Sequence, residues 1–297
     1  MKKVNLSKFL QVKINTYIFR FVHPRLSYFY LYILGRLYFF FNKKEQLIVA
    51  QNVKDMVGIK NDRIKKDIIH GIIKHYYEKL MMAYYSFEKL KRMVKKSINI
   101  KGKKLIDEGL KNGKGVVLVT AHFGAVEYLP LILVLNKYKI NFTVKFKTQQ
   151  LKETLEKHAK KYNANLIDCS QNQNIFFKAC KYLQKNELFV TECDEVSAWT
   201  KDSNRTIKLF NEKIYLDRGI DILARRTGAK VLSIFVRRLK NNKFSVEIKD
   251  VLKVKIKDEK HSESIVYKNL KIFQDYIKRY PDQYYEWKNI QAMKVSP

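Results

Sequence analysis

"VVLVTAHFGAVEYLPLIL", residues 116–133, runs six uncharged residues, mostly β-branched or aliphatic, straight into His122. Two small residues, Gly124 and Ala125, come next after Phe123, then Glu127, then a second apolar run. A short continuous apolar run predicts a strand buried on both faces, as parallel sheets use. The run after it predicts a helix over Val126–Val134. A histidine and a glutamate therefore stand where a buried strand hands over to a helix.

The same alternation extends outward. From about residue 98, short strand-like runs ("NFTVKF", "NLID", "ELFVTE", "KVLSIFVRR") alternate with helical patterns ("QLKETLEKHAKKY", "NIFFKACKYLQK", "IDILARRTG"). Strands separated by helices of this length predict crossover units and an α/β fold with a mostly parallel central sheet flanked by helices. "KFSVEIKDVLKVKI" adds strand, and a last helix is expected to end before Pro281. Residues 1–97 read instead as helix throughout. The expected division is a helical N-terminal region, 1–97, packed on the core, the membrane or both, and an α/β domain, 98–297. Within the first part, Arg25–Phe41 is the most apolar stretch, interrupted by Arg36. Its uncharged run, Leu26–Gly35, is too short for a bilayer, which needs roughly 20 apolar residues. Two readings stay open: a helix lying in a membrane interface, or a buried helix of the domain.

Composition narrows the partners. Among 297 residues, 60 are Lys or Arg and 28 Asp or Glu, a formal charge of +32. That field favours phosphate-bearing partners, anionic membrane lipids or an acidic carrier, although most of the basic residues are lysine, and a lysine-rich proteome is a second explanation. A nucleic-acid-binding protein would also be basic, but the aromatic residues follow amphipathic and strand patterns and no RNP, helix-turn-helix or zinc-finger pattern occurs, so no nucleic acid is expected. Three cysteines without metal-type spacing, Cys169, Cys180 and Cys193, read as reduced thiols. The opening residues lack a cleavable secretory pattern.

At the carboxyl end of a parallel strand, side chains face the crevice where α/β proteins bind ligands. A carboxylate at Glu127 would orient the His122 imidazole and favour its charged form, leaving the second nitrogen as a base. Gly124 and Ala125 leave room for a substrate. No nucleophile stands at usable spacing, which points to direct attack by a substrate hydroxyl or amine. The backbone N–H groups of Phe123 and Gly124 are candidate oxyanion donors. Lys145, Lys147, Arg237 and Arg238 fall near predicted strand ends, where they would bind phosphates; a solvated basic face is their other reading. A core histidine satisfied by a nearby carboxylate remains the alternative for a bare H-x4-E.

His122–Phe123–Gly124 with Glu127 resembles the H-x4-D/E pattern of glycerolipid acyltransferases, and more closely the HFGxxE form in the bacterial lipid A late acyltransferases (the lauroyl/myristoyl transferase family). "ELFVTECDEVSAW" resembles that family's strand ending in Asp, which places Asp194 at its acidic position. "KLFNEKIYLDRGIDILARRTGAKVLSIFVRR" and "YPDQYYEWKN" are similar to its later segments. The resemblance implies a glycerolipid acyltransferase-like fold whose N-terminal helical region associates with a membrane at the cytoplasmic face of the bacterial inner membrane. It implies acyl transfer from acyl-ACP or acyl-CoA to a hydroxyl of a lipid or glycolipid, a lipid A precursor among the candidates. His122 and Glu127 would be catalytic, and Phe123, Gly124, Lys145, Lys147, Asp194, Arg237 and Arg238 would bind substrate, with no metal and no cofactor. The acyl tail is expected in an apolar channel along the Val126–Val134 helix. Departures occur: Ala125–Val126 replace the usual Asn-Trp, Lys147 stands for an Arg, and Glu286 for an aromatic. They bear on the acceptor pocket, and leave open an inactive lipid-binding homologue.

Overall fold

The computed structural model describes residues 15, 17–18, 21–59, 62–146, 149–169, 174–255 and 261–295. From Pro24 onward the described elements begin with the helices α1 (Pro24–Phe41), α2 (Lys43–Val57), α3 (Asp62–Tyr84) and α4 (Phe87–Ser97). There follow β1 (Ile98–Lys101), α5 (Lys103–Lys111), β2 (Val116–Thr120), α6 (Leu129–Leu135), β3 (Ile140–Val144), α7 (Gln149–Lys161), β4 (Ala164–Asp168), α8 (Ile175–Gln184) and β5 (Leu188–Glu192). A hairpin of β6 (Thr206–Leu209) and β7 (Glu212–Tyr215) leads to α9 (Gly219–Thr227), β8 (Lys230–Arg238), β9 (Phe244–Asp250) and α10 (Ile265–Arg279).

Seven strands form one sheet in the order β1-β9-β8-β2-β5-β3-β4. Every pairing is parallel except β8 with β9, so the expected mostly parallel α/β sheet is present. β2 is buried along its whole length, which explains its lack of polar alternation. The expected helix at 126–134 is a short 3₁₀ turn, Val126–Tyr128, followed by α6. After β2 the chain moves to one side, through β3 and β4; after β5 it returns to the other, to β8. The crevice between the carboxyl ends of β2 and β5 is thus the switch point where open α/β sheets bind ligands.

The N-terminal helices share one core with the sheet. The buried-helix reading of α1 holds for one of its faces. Ser27, Leu31, Gly35, Tyr38 and Phe39 are buried, whereas Leu26, Phe29, Ile33, Leu37, Phe40 and Phe41 are exposed. No described helix is long and apolar enough to cross a membrane.

Candidate active site

Backbone hydrogen bonds to distant segments hold the turn after β2. Gly124 N–H donates to Gln283 O (2.8 Å), Ala125 N–H to Val236 O (2.8 Å), and Tyr285 N–H to His122 O (3.3 Å). Gly124 has φ +58°, and a Cβ there would lie 1.9 Å from the Val236 carbonyl oxygen; only glycine fits. Gly71 of α3 meets the same C-terminal segment, its missing Cβ lying 1.9 Å from Asp282 O. These contacts correct one expectation. The N–H groups of Gly124 and of Phe123, which turns back on Ala121 O at 2.6 Å, are already committed and are not free oxyanion donors. The Phe123 side chain is core, edge-on to Phe235 and Tyr276.

The turn delivers His122 between two carboxylates of the neighbouring strand end. Its Nδ1 lies 3.1 Å from Asp194 Oδ1 and its Nε2 3.4 Å from Glu192 Oε2. The His122 backbone N–H also donates to both Asp194 oxygens, at 3.2 and 3.1 Å. A carboxylate only accepts, so the Nδ1 hydrogen points to Asp194, while Nε2 lies beside Glu192. Asp194 is fully buried, while His122 and Glu192 keep 18% and 16% exposure. Burial works against the imidazolium, but Glu192 and then Asp194 outweigh it and hold His122 well above the ordinary imidazole value. Burial lifts Glu192 to about 7, against the pull of His122.

Glu127 does not take the place expected for it. No hydrogen bond or ion pair joins it to His122; its Oε1 lies 3.4 Å from His75 Nε2 and 3.6 Å from Lys79 Nζ. The 3₁₀ turn aims Glu127 at α3, where His75 and Lys79 sit one helical turn apart. The two histidines meet around Tyr285, which stacks on His75 (3.4 Å between centroids) and stands edge-on to His122 (5.3 Å). The carboxylate at His122 Nδ1, Asp194, lies two residues past β5, seventy-two residues on.

A cavity of about 490 Å³ opens at His122. Its near end is polar, with Glu127, Glu192, Asp194, Lys145, Lys201 and Tyr285. Apolar side chains make up much of the rest of its lining, Val126, Pro130, Leu131 and Val134 from one segment and Leu155, Ala159 and Tyr162 from another. Sequence reading anticipated the Val126–Val134 wall. It missed the second wall, the stripe Leu155, His158 and Ala159 of α7 with Tyr162 just past its end, whose spacing is that of one helical face. Ala125 is fully buried and does not line the cavity.

Residues 7–288 match the family model described as bacterial lipid A biosynthesis acyltransferase. The chain belongs to that family. It is therefore an acyltransferase of the lipid A biosynthesis type. The comparison with curated proteins gives no match.

Not every residue expected to bind the acyltransferase's substrate faces the cavity. Lys145 lines it, with Nζ 3.3 Å from Ser197 Oγ; Lys147 lies outside the described residues. Arg237 lies over the Tyr280 ring, 4.7 Å from its centroid, and pairs with Glu247 at 3.5 Å, away from the cavity lining. Arg238 is buried and makes two 2.8 Å bonds to Glu78 of α3, so it is a structural tie and not a phosphate ligand. Nothing in a strand-ending arginine announces a partner 160 residues away. Among the described residues, His122, Glu192 and Glu195 present ligand atoms within 4.8 Å of one another, close enough to gather round a cation.

Proposed function

We propose that this acyltransferase moves a fatty acyl chain from a thioester, on acyl carrier protein or coenzyme A, to a hydroxyl of a lipid or glycolipid, with His122 as general base. The observation that carries this reading is the placement of His122, its Nδ1 held by buried Asp194, its Nε2 beside Glu192, and its ring in the lining of a cavity with apolar walls. The acceptor oxygen attacks the thioester carbonyl carbon while its proton passes to Nε2. The tetrahedral intermediate collapses, the C–S bond breaks, and the imidazolium returns the proton to the departing sulfur. The products are an ester and a free thiol, with no metal or redox cofactor in any step. Asp194 fixes the tautomer and favours the imidazolium, as a buried carboxylate does behind a catalytic histidine. With the backbone donors committed, the positive charge for the oxyanion and for donor or acceptor phosphates comes from Lys79, Lys145 and Lys201. Glu127, tied to His75 and Lys79, shapes the acceptor side of the mouth. The tail goes into the apolar cavity, where each buried methylene contributes about 0.8 kcal/mol.

The protein works from a membrane surface at its cytoplasmic side. Support comes from the exposed apolar face of α1 together with the +32 charge, a combination suited to anionic lipid. The α1–α2 corner also abuts the cavity mouth: Glu45 pairs with Lys288 at 3.0 Å, and Asn52 donates to Trp287 O at 2.6 Å. The same segment supplies Glu286, Asn289 and Ala292 to the lining. A lipid acceptor would reach His122 without leaving the bilayer. The test is incubation with acyl-ACP and acyl-CoA on anionic vesicles carrying hydroxyl lipids, a lipid A precursor included, with products read by mass spectrometry. An acylated lipid and stoichiometric thiol support the proposal. Thioester left intact with every acceptor would refute it.

A further inference from the structure

The cavity has a built end. Phe87 opens α4 and Tyr162 follows α7, and their rings stack at 3.6 Å between centroids, 16° from parallel. Both line the cavity, and both are only half-buried. The floor beneath them belongs to the sheet. Phe142 and Leu166 are register partners on β3 and β4, and Ala164, two residues before Leu166, puts the smallest side chain of that row at the cavity's end. We propose that the Phe87–Tyr162 stack is the stop that sets acyl chain length, an inference that rests on the acyl-transfer reading above.

Register gives the length. Glu192 stands four residue rises above the level shared by Leu188, Ile140 and Ala164, about 13 Å along the strands, and β5 lies two strand spacings from β4, about 10 Å. The diagonal from Glu192, which pairs with His122, to Ala164 in the cavity lining is thus about 16 Å. A staggered chain advances about 1.25 Å per carbon for a 1.52 Å C–C bond, so the slot holds on the order of 12 to 14 carbons. Longer tails meet two rings locked face to face between two helices. Shorter tails leave apolar wall uncovered and lose about fourfold in affinity per missing methylene.

The experiment is a kcat/KM series over saturated acyl thioesters from 8 to 18 carbons for the wild type, Tyr162→Ala, Phe87→Leu and Ala159→Leu. Because removal of either ring takes away the stop, Tyr162→Ala and Phe87→Leu should each raise the ratio of the 16-carbon to the 12-carbon donor at least tenfold. Ala159→Leu, which fills the slot from α7, should move the optimum the other way by about two carbons. Thermal stabilisation by free fatty acids of the same lengths reads the preference without turnover, and should shift in parallel. A wild type that transfers acyl chains while all three variants keep its length profile would overturn the stop and leave the transferase reading intact. A wild type that consumes no thioester of any length would instead overturn the reading on which the stop rests.

Discussion

Replacing Asp194 by Asn removes one charge and little else. The side chain keeps its volume in a fully buried position, and its oxygen can still accept from the His122 backbone N–H. What is lost is the field on the imidazolium. At the observed 3.1 Å between Nδ1 and Oδ1, and with an effective dielectric of about 20, the interaction is worth at most about 5 kcal/mol, and less because charge is spread over both groups. At 1.36 kcal/mol per decade, kcat should fall by about 10³. The amide can also present its NH₂ to Nδ1, which would turn the ring to the wrong tautomer and deepen the loss. Thiol release from acyl-ACP in the presence of a hydroxyl lipid measures this directly. The His122→Ala, Asp194→Asn double variant should be no worse than His122→Ala alone, because Asp194 acts through the ring. Glu127→Gln should lose far less than Asp194→Asn, and that loss should add to the loss from His122→Ala. A kcat for Asp194→Asn within tenfold of wild type would refute the assignment of the orienting carboxylate, as would full coupling of Glu127 to His122.

Other outcomes follow from the same contacts. His122 must be unprotonated to accept a proton, and Glu192 and Asp194 hold it above 6.5 despite burial; activity should therefore rise with pH through a limb above pH 6.5, and Glu192→Gln should move that limb to lower pH. Arg238→Ala leaves Glu78 buried without its partner and should cost about 3–5 kcal/mol in denaturant unfolding, against less than 1 kcal/mol if the pair is incidental. On anionic vesicles, Phe29→Ser with Phe40→Ser should lower the partition coefficient about 10²-fold, given about 1.5 kcal/mol for each ring; unchanged binding would mean that the exposed α1 face does not enter lipid.

The sheet was legible because burial leaves its mark locally. β2, β5 and β8 each appear as short apolar runs, and the helices between them announce the crossovers. His122 was legible for the same reason: a titratable residue at the end of such a run faces the switch point whatever the rest of the chain does. Its partners were not. Asp194 came only through family resemblance, Glu192 stood in the quoted strand without being singled out, and both reach His122 because β5 inserts beside β2. Spacing within one segment favoured Glu127, but the positive φ of Gly124 and the 3₁₀ turn carry that side chain to His75 and Lys79 on α3. Phe123 and Gly124 misled for a related reason. A backbone donor near a histidine is available only if no carbonyl has claimed it: Gln283 O takes the Gly124 N–H from distant sequence, and Ala121 O takes that of Phe123 in a tight turn.

The central claim is that His122 takes the acceptor's proton in a direct transfer from thioester to lipid hydroxyl. Its most direct test is the rate of acylated-lipid formation by His122→Ala, beside the wild type, once its circular dichroism and melting show a native fold. General-base catalysis predicts a fall of about 10²–10⁴, with no acyl adduct on the wild-type protein when the reaction is stopped mid-course and its intact mass is read. A folded His122→Ala that transfers at near the wild-type rate, or an acyl group found covalently on the enzyme, would contradict it.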